Sequence, residues 1–181
     1  MRQIISSILI FALLSGCATQ RAAQQAPIAT VPNVDLERFA GRWYVIANIP
    51  TFIETKAWNA TEDYTLRSDQ KIDTTFSFNK GGFDGKRKIY TPVATVRPGT
   101  GNAVWGMQFI WPFKAEYRVI WLADDYSVTI IGRSKRDYVW VMAREPSIDQ
   151  DLRRRLDAFL AEQGYDLSKL RDVPQQPLAA R

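Results

Sequence analysis

Between Gly41 and Arg144 apolar residues recur at every second position in short runs, and each run stops at residues that favour turns. Arg42 to Ile49 is the first run. Thr61 to Leu66 alternates and stops at Ser68-Asp69-Gln70, and Ile72 to Phe78 stops at Asn79-Lys80-Gly81-Gly82. Lys88 to Val96 ends at Arg97-Pro98-Gly99, Ala103 to Ile110 at Trp111-Pro112, and Tyr117 to Leu122 at Ala123-Asp124-Asp125. Ser127 to Gly132 and Tyr138 to Arg144 complete the set of eight. A period of two marks half-buried strands. Short strands at even spacing argue for an antiparallel sandwich or barrel, not a parallel sheet with crossover helices. Pro92 has no N–H to give to a ladder, so the fourth run is expected to carry a bulge or an edge there.

The period changes after Pro146. Ile148, Leu152, Leu156, Phe159 and Leu160 form a stripe at helical spacing, Ser147 and Gln150 have the spacing of a capping box, and Gly164 falls where a carboxyl-terminal cap belongs. The expected fold is all-β: an eight-stranded antiparallel up-and-down barrel with one C-terminal α-helix packed on its outside. The domain is expected over 34–173, with a linker over 17–33 and a polar tail over 174–181.

Residues 1–16 differ from all of this. Arg2 precedes a nearly unbroken apolar run from Ile4 to Leu14. That run falls short of the roughly 20 residues a membrane span needs and has the length of a signal-peptide core. Leu14-Ser15-Gly16-Cys17 resembles the bacterial lipobox, which implies cleavage before Cys17 and lipidation of its thiol. Ala18 resembles the outer-membrane sorting pattern of Gram-negative lipoproteins. The competing reading is an ordinary cleavage site followed by a spare thiol. Cys17 is the only cysteine, so no disulfide within the chain supports the fold. The absence of histidine removes Ser–His and Cys–His dyads, the usual zinc ligands and the commonest acid/base group. Carboxylate and tyrosine chemistry survives this filter, and no metal or cofactor is expected. Losing Arg2 with the signal lowers the formal charge of +5 by one. In an exported protein this modest excess suits an anionic lipid or membrane surface, not nucleic acid.

Three stretches then carry a resemblance. Asp35-Leu36-Glu37-Arg38-Phe39-Ala40-Gly41-Arg42-Trp43-Tyr44 resembles the first signature of the lipocalin family, Asp124-Asp125-Tyr126 the second, and Arg144 at the end of the eighth run the third. Trp111-Pro112-Phe113, Arg136-Asp137-Tyr138 and Gly164-Tyr165-Asp166-Leu167-Ser168-Lys169 are similar to the bacterial outer-membrane lipocalins, over roughly residues 33 to 177. The resemblance implies a barrel that binds a fatty acid or lysophospholipid and is not an enzyme. Gly41, Trp43 and Arg144 are then structural: Trp43 plugs the closed end, Arg144 lies across its indole face, and Gly41 permits a tight turn.

Alternation nominates the lining. Trp105, Met107 and Phe109 share one face of the fifth run, Tyr117, Val119 and Trp121 of the sixth, and Tyr138, Trp140 and Met142 of the eighth. Phe76 with Phe78, Tyr64 with Leu66, and Trp58 complete the expected ligand-contacting set. Ile120 with Leu122, and Val139 with Val141 and Ala143, are expected to face the helix. Loops after odd-numbered runs would lie at the mouth, giving a basic head-group rim of Lys86, Lys88, Lys114, Arg133 and Arg136, beside Trp111, Pro112 and Phe113. Glu62 alternates inward with Tyr64, unless a slip of one residue turns it to water. An inward Glu62 leaves open a lipid-modifying enzyme that uses it with a Tyr, and a barrel filled by its own aromatics leaves open an envelope interaction protein. The leading expectation is a lipid-anchored outer-membrane protein that carries a lipid-like amphiphile.

Overall fold

The computed structural model describes residues 26–176. The export signal and Cys17 lie outside the described residues. A short helix, α1 (Leu36–Phe39), leads into β1 (Gly41–Ile49), β2 (Ala57–Leu66), β3 (Lys71–Lys80), β4 (Arg87–Tyr90), β5 (Val93–Val96), β6 (Val104–Ile110), β7 (Phe113–Leu122), β8 (Val128–Gly132) and β9 (Val139–Ala143). Helix α2 (Gln150–Glu162), a single 3-10 turn and β10 (Arg171–Asp172) follow. Every pairing is antiparallel, neighbours in sequence pair in turn, and β1 pairs with β9 to close the ring. β4 and β5 both pair with β3 and are two halves of one stave, broken at Thr91-Pro92, so the barrel has eight staves. The break sits where Pro92 predicts it.

Two apolar cores share the barrel wall. Inside the barrel, Trp43, Val45, Tyr64, Phe76, Phe78, Trp105 and Val119 are buried. On the outer face, Ala47, Ile49, Ile130, Val139 and Val141 receive Leu156 and Leu160 of α2. The helix ends as expected: Gly164 has φ +85°, its N–H donates to Ala161 O at 2.9 Å and the Tyr165 N–H to Leu160 O at 3.0 Å. Its start differs. The N-cap is Asp149, whose carboxylate accepts from the Leu152 N–H at 2.8 Å. A carboxylate also gains from the positive end of the helix, which the Ser147 hydroxyl would not.

The segment expected as a linker is packed on the barrel from Ile28 onward. Val34 N–H donates to Gly101 O at 2.8 Å, Val31 N–H to Val119 O at 3.0 Å, and Arg118 Nε to Ile28 O at 3.1 Å. Ile28 is buried in the outer core. Gly101 has φ +57°, and a Cβ there would collide with the Pro32 carbonyl, so the crossing requires glycine. This strap climbs from the β5–β6 turn along β7 and reaches Arg136, whose guanidinium donates to Ala26 O at 3.3 Å. The start of the expected polar tail is also held: Gln175 Nε2 donates to Val45 O at 2.8 Å and Ala60 O at 3.0 Å. Both corrections have one cause: isolated apolar or amide side chains fill bulges and gaps in the wall without any period of their own.

Candidate functional site

The first-signature residues build the closed end. Asp35 caps α1 by accepting from the Glu37 and Arg38 N–H groups at 3.0 and 3.2 Å. Arg38 stacks 4.0 Å from the Tyr126 ring centroid and donates to Asp124 O at 3.0 Å, so the turn between β7 and β8 is fastened to α1. Trp43 is fully buried and its Nε1 donates to Phe39 O at 2.8 Å. The Arg144 guanidinium lies 3.8 Å from the Trp43 ring centroid and donates to Arg42 O and Arg38 O at 2.7 Å and to Phe39 O at 3.1 Å. Gly41 has φ +88°, which lets the chain turn from α1 into β1 beneath that guanidinium. Above this plate Trp105 stacks on Tyr117 with ring centroids 4.7 Å apart and meets Phe39 and Tyr64 edge-on.

Over that floor stands a cavity of about 490 Å³, within the range of small-molecule sites. Its wall includes Phe76, Met107, Phe109, Tyr117, Tyr138 and Trp140, all expected there. A barrel filled by its own aromatics does not describe this protein. Other residues expected in the lining stand elsewhere. Tyr64 and Trp105 are floor, and Phe78 is core behind Phe76 and Tyr90. The β7–β8 register shifts between Val119 and Trp121, which moves Trp121 with Ile120 to the outer core and Leu122 against the inner one. Likewise Asn59 has φ +50° within a register shift between Trp58 and Thr61, and Trp58 packs edge-on against Phe83, 4.9 Å between centroids. Leu66, at the end of its strand, is 38% exposed.

Of the expected basic rim, only Arg133 lines the cavity. It pairs with Asp137 at 3.4 Å, lies 5.1 Å from the Tyr138 ring centroid, and its buried Nε has no partner. Lys86 and Lys88 stand on the β3–β4 hairpin. Lys114 runs along the outer wall to Thr95 Oγ1 at 3.1 Å. Arg136 turns outward to cap α2, with Nε donating to Gln163 O at 2.7 Å. The mouth is marked more by apolar groups: Phe52 and Phe113 line the cavity yet are 87% and 76% exposed, and Trp111 beside them is 83% exposed.

Polar side chains lie deeper. Glu62 points inward, opposite Trp43 on β1 and Phe76 on β3. Its carboxylate accepts from the Tyr64 hydroxyl, whose oxygen is 2.7 Å from that of Tyr117. Burial, opposed by the Tyr64 hydrogen bond and reinforced by the charge of Glu54, raises Glu62 from 4.5 to about 7. Burial and the neighbouring carboxylate hold Tyr64 and Tyr117 well above the usual tyrosine range, so both stay protonated. Glu54, from the β1–β2 loop, is buried and accepts from Trp140 Nε1 at 3.1 Å and from Thr51 N–H at 3.0 Å. Burial raises it despite those bonds. Sequence reasoning missed Glu54, because nothing in the Thr51-Phe52-Ile53-Glu54 loop signals that it folds inward. Glu116 also reaches the wall, where bonds from Ser134 and Arg118 outweigh its burial and hold it below the usual range. Among the described residues, no group of His, Cys, Asp or Glu is placed to hold a metal ion.

The comparisons agree with this architecture. A profile for the Lipocalin-like domain matches residues 34–175. The chain is 30% identical to the outer membrane lipoprotein Blc of Escherichia coli (strain K12) over 153 residues, covering 83% of this chain and 84% of that one. It is 29% identical to temperature-induced lipocalin-1 of Arabidopsis thaliana over 163 residues, 84% of this chain and 85% of the other. Among solved structures, insecticyanin from the tobacco hornworm Manduca sexta superposes with a TM-score of 0.65 at 18% identity, over 82% of this chain and 85% of that one, and shares the fold. With the Trp43–Arg144 plate, the single closed ring of strands and the open cavity above them, the match over residues 34–175 shows that this chain belongs to the lipocalin family.

Proposed function

We propose that the protein carries one lipid-like amphiphile, a fatty acid or lysophospholipid, in its barrel, and that Cys17 bears a lipid that holds it at the outer membrane of a Gram-negative cell. The observation that supports the carrier reading is the make-up of the cavity: a largely apolar wall, the Arg133 guanidinium in its lining, and exposed aromatics at its mouth. An acyl chain entering that wall gains about 0.8 kcal/mol per buried methylene, while an anionic head group stays near Arg133. The likeness to Blc, an outer membrane lipoprotein by name, supports the anchored location.

The test is a titration followed by tryptophan fluorescence, since Trp140 lines the cavity. Saturable one-to-one binding of hexadecanoic acid or of a lysophospholipid, weakened by Trp140→Ala, is expected; no binding of either by folded protein overturns the carrier reading. Glu62, held near neutrality against Tyr64, favours one second reading, acid/base catalysis on a bound lipid. Turnover lost in Glu62→Gln with binding retained would establish it.

A further inference from the structure

The inner end of the cavity is not inert hydrocarbon. Glu62 lines it just above the aromatic floor, and Thr74 lines it from the neighbouring strand, across from Tyr64 in register. Thr74 is 3% exposed and its Oγ1 has no hydrogen-bond partner. Tyr64 donates its proton to Glu62, which leaves the Tyr117 hydroxyl to donate to Tyr64, so both tyrosine protons are committed. This leaves carboxylate acceptor capacity on Glu62 and an unspent donor and acceptor on Thr74, on neighbouring strands at the inner end of the cavity.

A plain methyl terminus arriving here offers neither group a hydrogen-bond partner and leaves both unsatisfied, which costs affinity. A second carboxylate fares worse beside Glu62 and Glu54. A hydroxyl fits both groups: it donates to Glu62 and accepts from Thr74. We propose that Glu62 and Thr74 form a subsite for a hydroxyl carried on the far part of the ligand's chain, so that the preferred cargo is a hydroxylated long-chain acid whose anionic end remains at the mouth. This rests on the carrier reading above and specifies its substrate class.

The experiment compares plain alkanoic acids of 12, 14 and 16 carbons with their terminal-hydroxy counterparts, by titration of the protein, its Thr74→Val variant and its Glu62→Leu variant. For the length that reaches the floor, the hydroxy acid is expected to bind the wild type about tenfold more tightly than the plain acid, a difference of about 1.4 kcal/mol. Thr74→Val is isosteric and should reduce that preference several-fold, and Glu62→Leu should abolish it. Equal affinities at every length, or a preference that survives both substitutions, overturn the subsite and leave the carrier intact. Tighter binding of hexadecylamine than of any hydroxy acid also overturns it, by marking an ammonium site. If no acid of either kind binds, the carrier reading itself fails.

Discussion

The two ends of the barrel are both built from aromatic side chains, and they use them in opposite ways. At the closed end Trp43, Phe39, Trp105 and Tyr64 are buried, in contact with one another, and have their polar atoms satisfied: Trp43 Nε1 by Phe39 O, Trp105 Nε1 by Asn102 O, and the Tyr64 hydroxyl by Glu62 and Tyr117. At the open end Phe52, Trp111 and Phe113 are exposed. The difference teaches that aromatic content alone does not distinguish scaffold from site. What distinguishes them is whether the ring's neighbours are supplied by the chain itself.

The comparison breaks most sharply by truncation. Trp43→Ala removes the plate on which Arg144 lies and should cost about 3–5 kcal/mol in urea unfolding. Trp111→Ala should fall within about 0.5 kcal/mol of the parent, because its ring has little packing to lose. If the two variants unfolded alike, the division of the barrel into scaffold and mouth would be wrong.

Glu62, between the two ends, gives a pH-dependent contrast. Its value rises from 4.5 to about 7 on folding, so between those pH values the native state holds a proton that the unfolded chain has lost. Stability from this group is therefore fullest below about pH 4.5, falls as pH rises, and levels off above 7. The whole fall amounts to about 3 kcal/mol, less whatever the Tyr64 and Tyr117 hydroxyls recover by rearranging. Glu62→Gln should match the wild type in unfolding at pH 4.5 and exceed it at pH 8.5. A wild-type curve flat over this interval would mean that water reaches the carboxylate.

A smaller effect is expected on the outer core. Ile28→Ala should lower stability by about 2 kcal/mol, since the side chain is 1% exposed within the outer core. No change in unfolding would return residues 28–33 to the status of a linker.

How far sequence reading reached follows from the same two regions. Strand periodicity located every stave, and the break at Pro92, because burial on one face leaves a period that survives in the chain. The floor was readable because Trp43 and Arg144 stand in stretches that resemble the family signatures, although Arg144 bonds carbonyls more than 100 residues away in sequence. The site was read less well. One extra residue at Ile120 and another near Asn59 reverse the parity of everything beyond them, so Trp121 and Trp58 left the lining without any change in their own neighbours in sequence. Arg136 was missed as a helix cap because it sits in the turn after β8, where no period shows which way a side chain points, and Glu54 lies on a loop of the same kind.

The strap over residues 26–34 begins beside the closed end, at Gly101, and reaches Arg136, in the turn at the opposite end of the barrel. Any tether attached ahead of it therefore departs from the side of the opening, although the domain's first strand starts at the floor. A lipid at Cys17, as proposed above, would thus join the described domain at its lip and not at its base. Phe52, Trp111 and Phe113 lie at that same end of the barrel, so an anchored chain would carry its exposed aromatics beside its point of attachment.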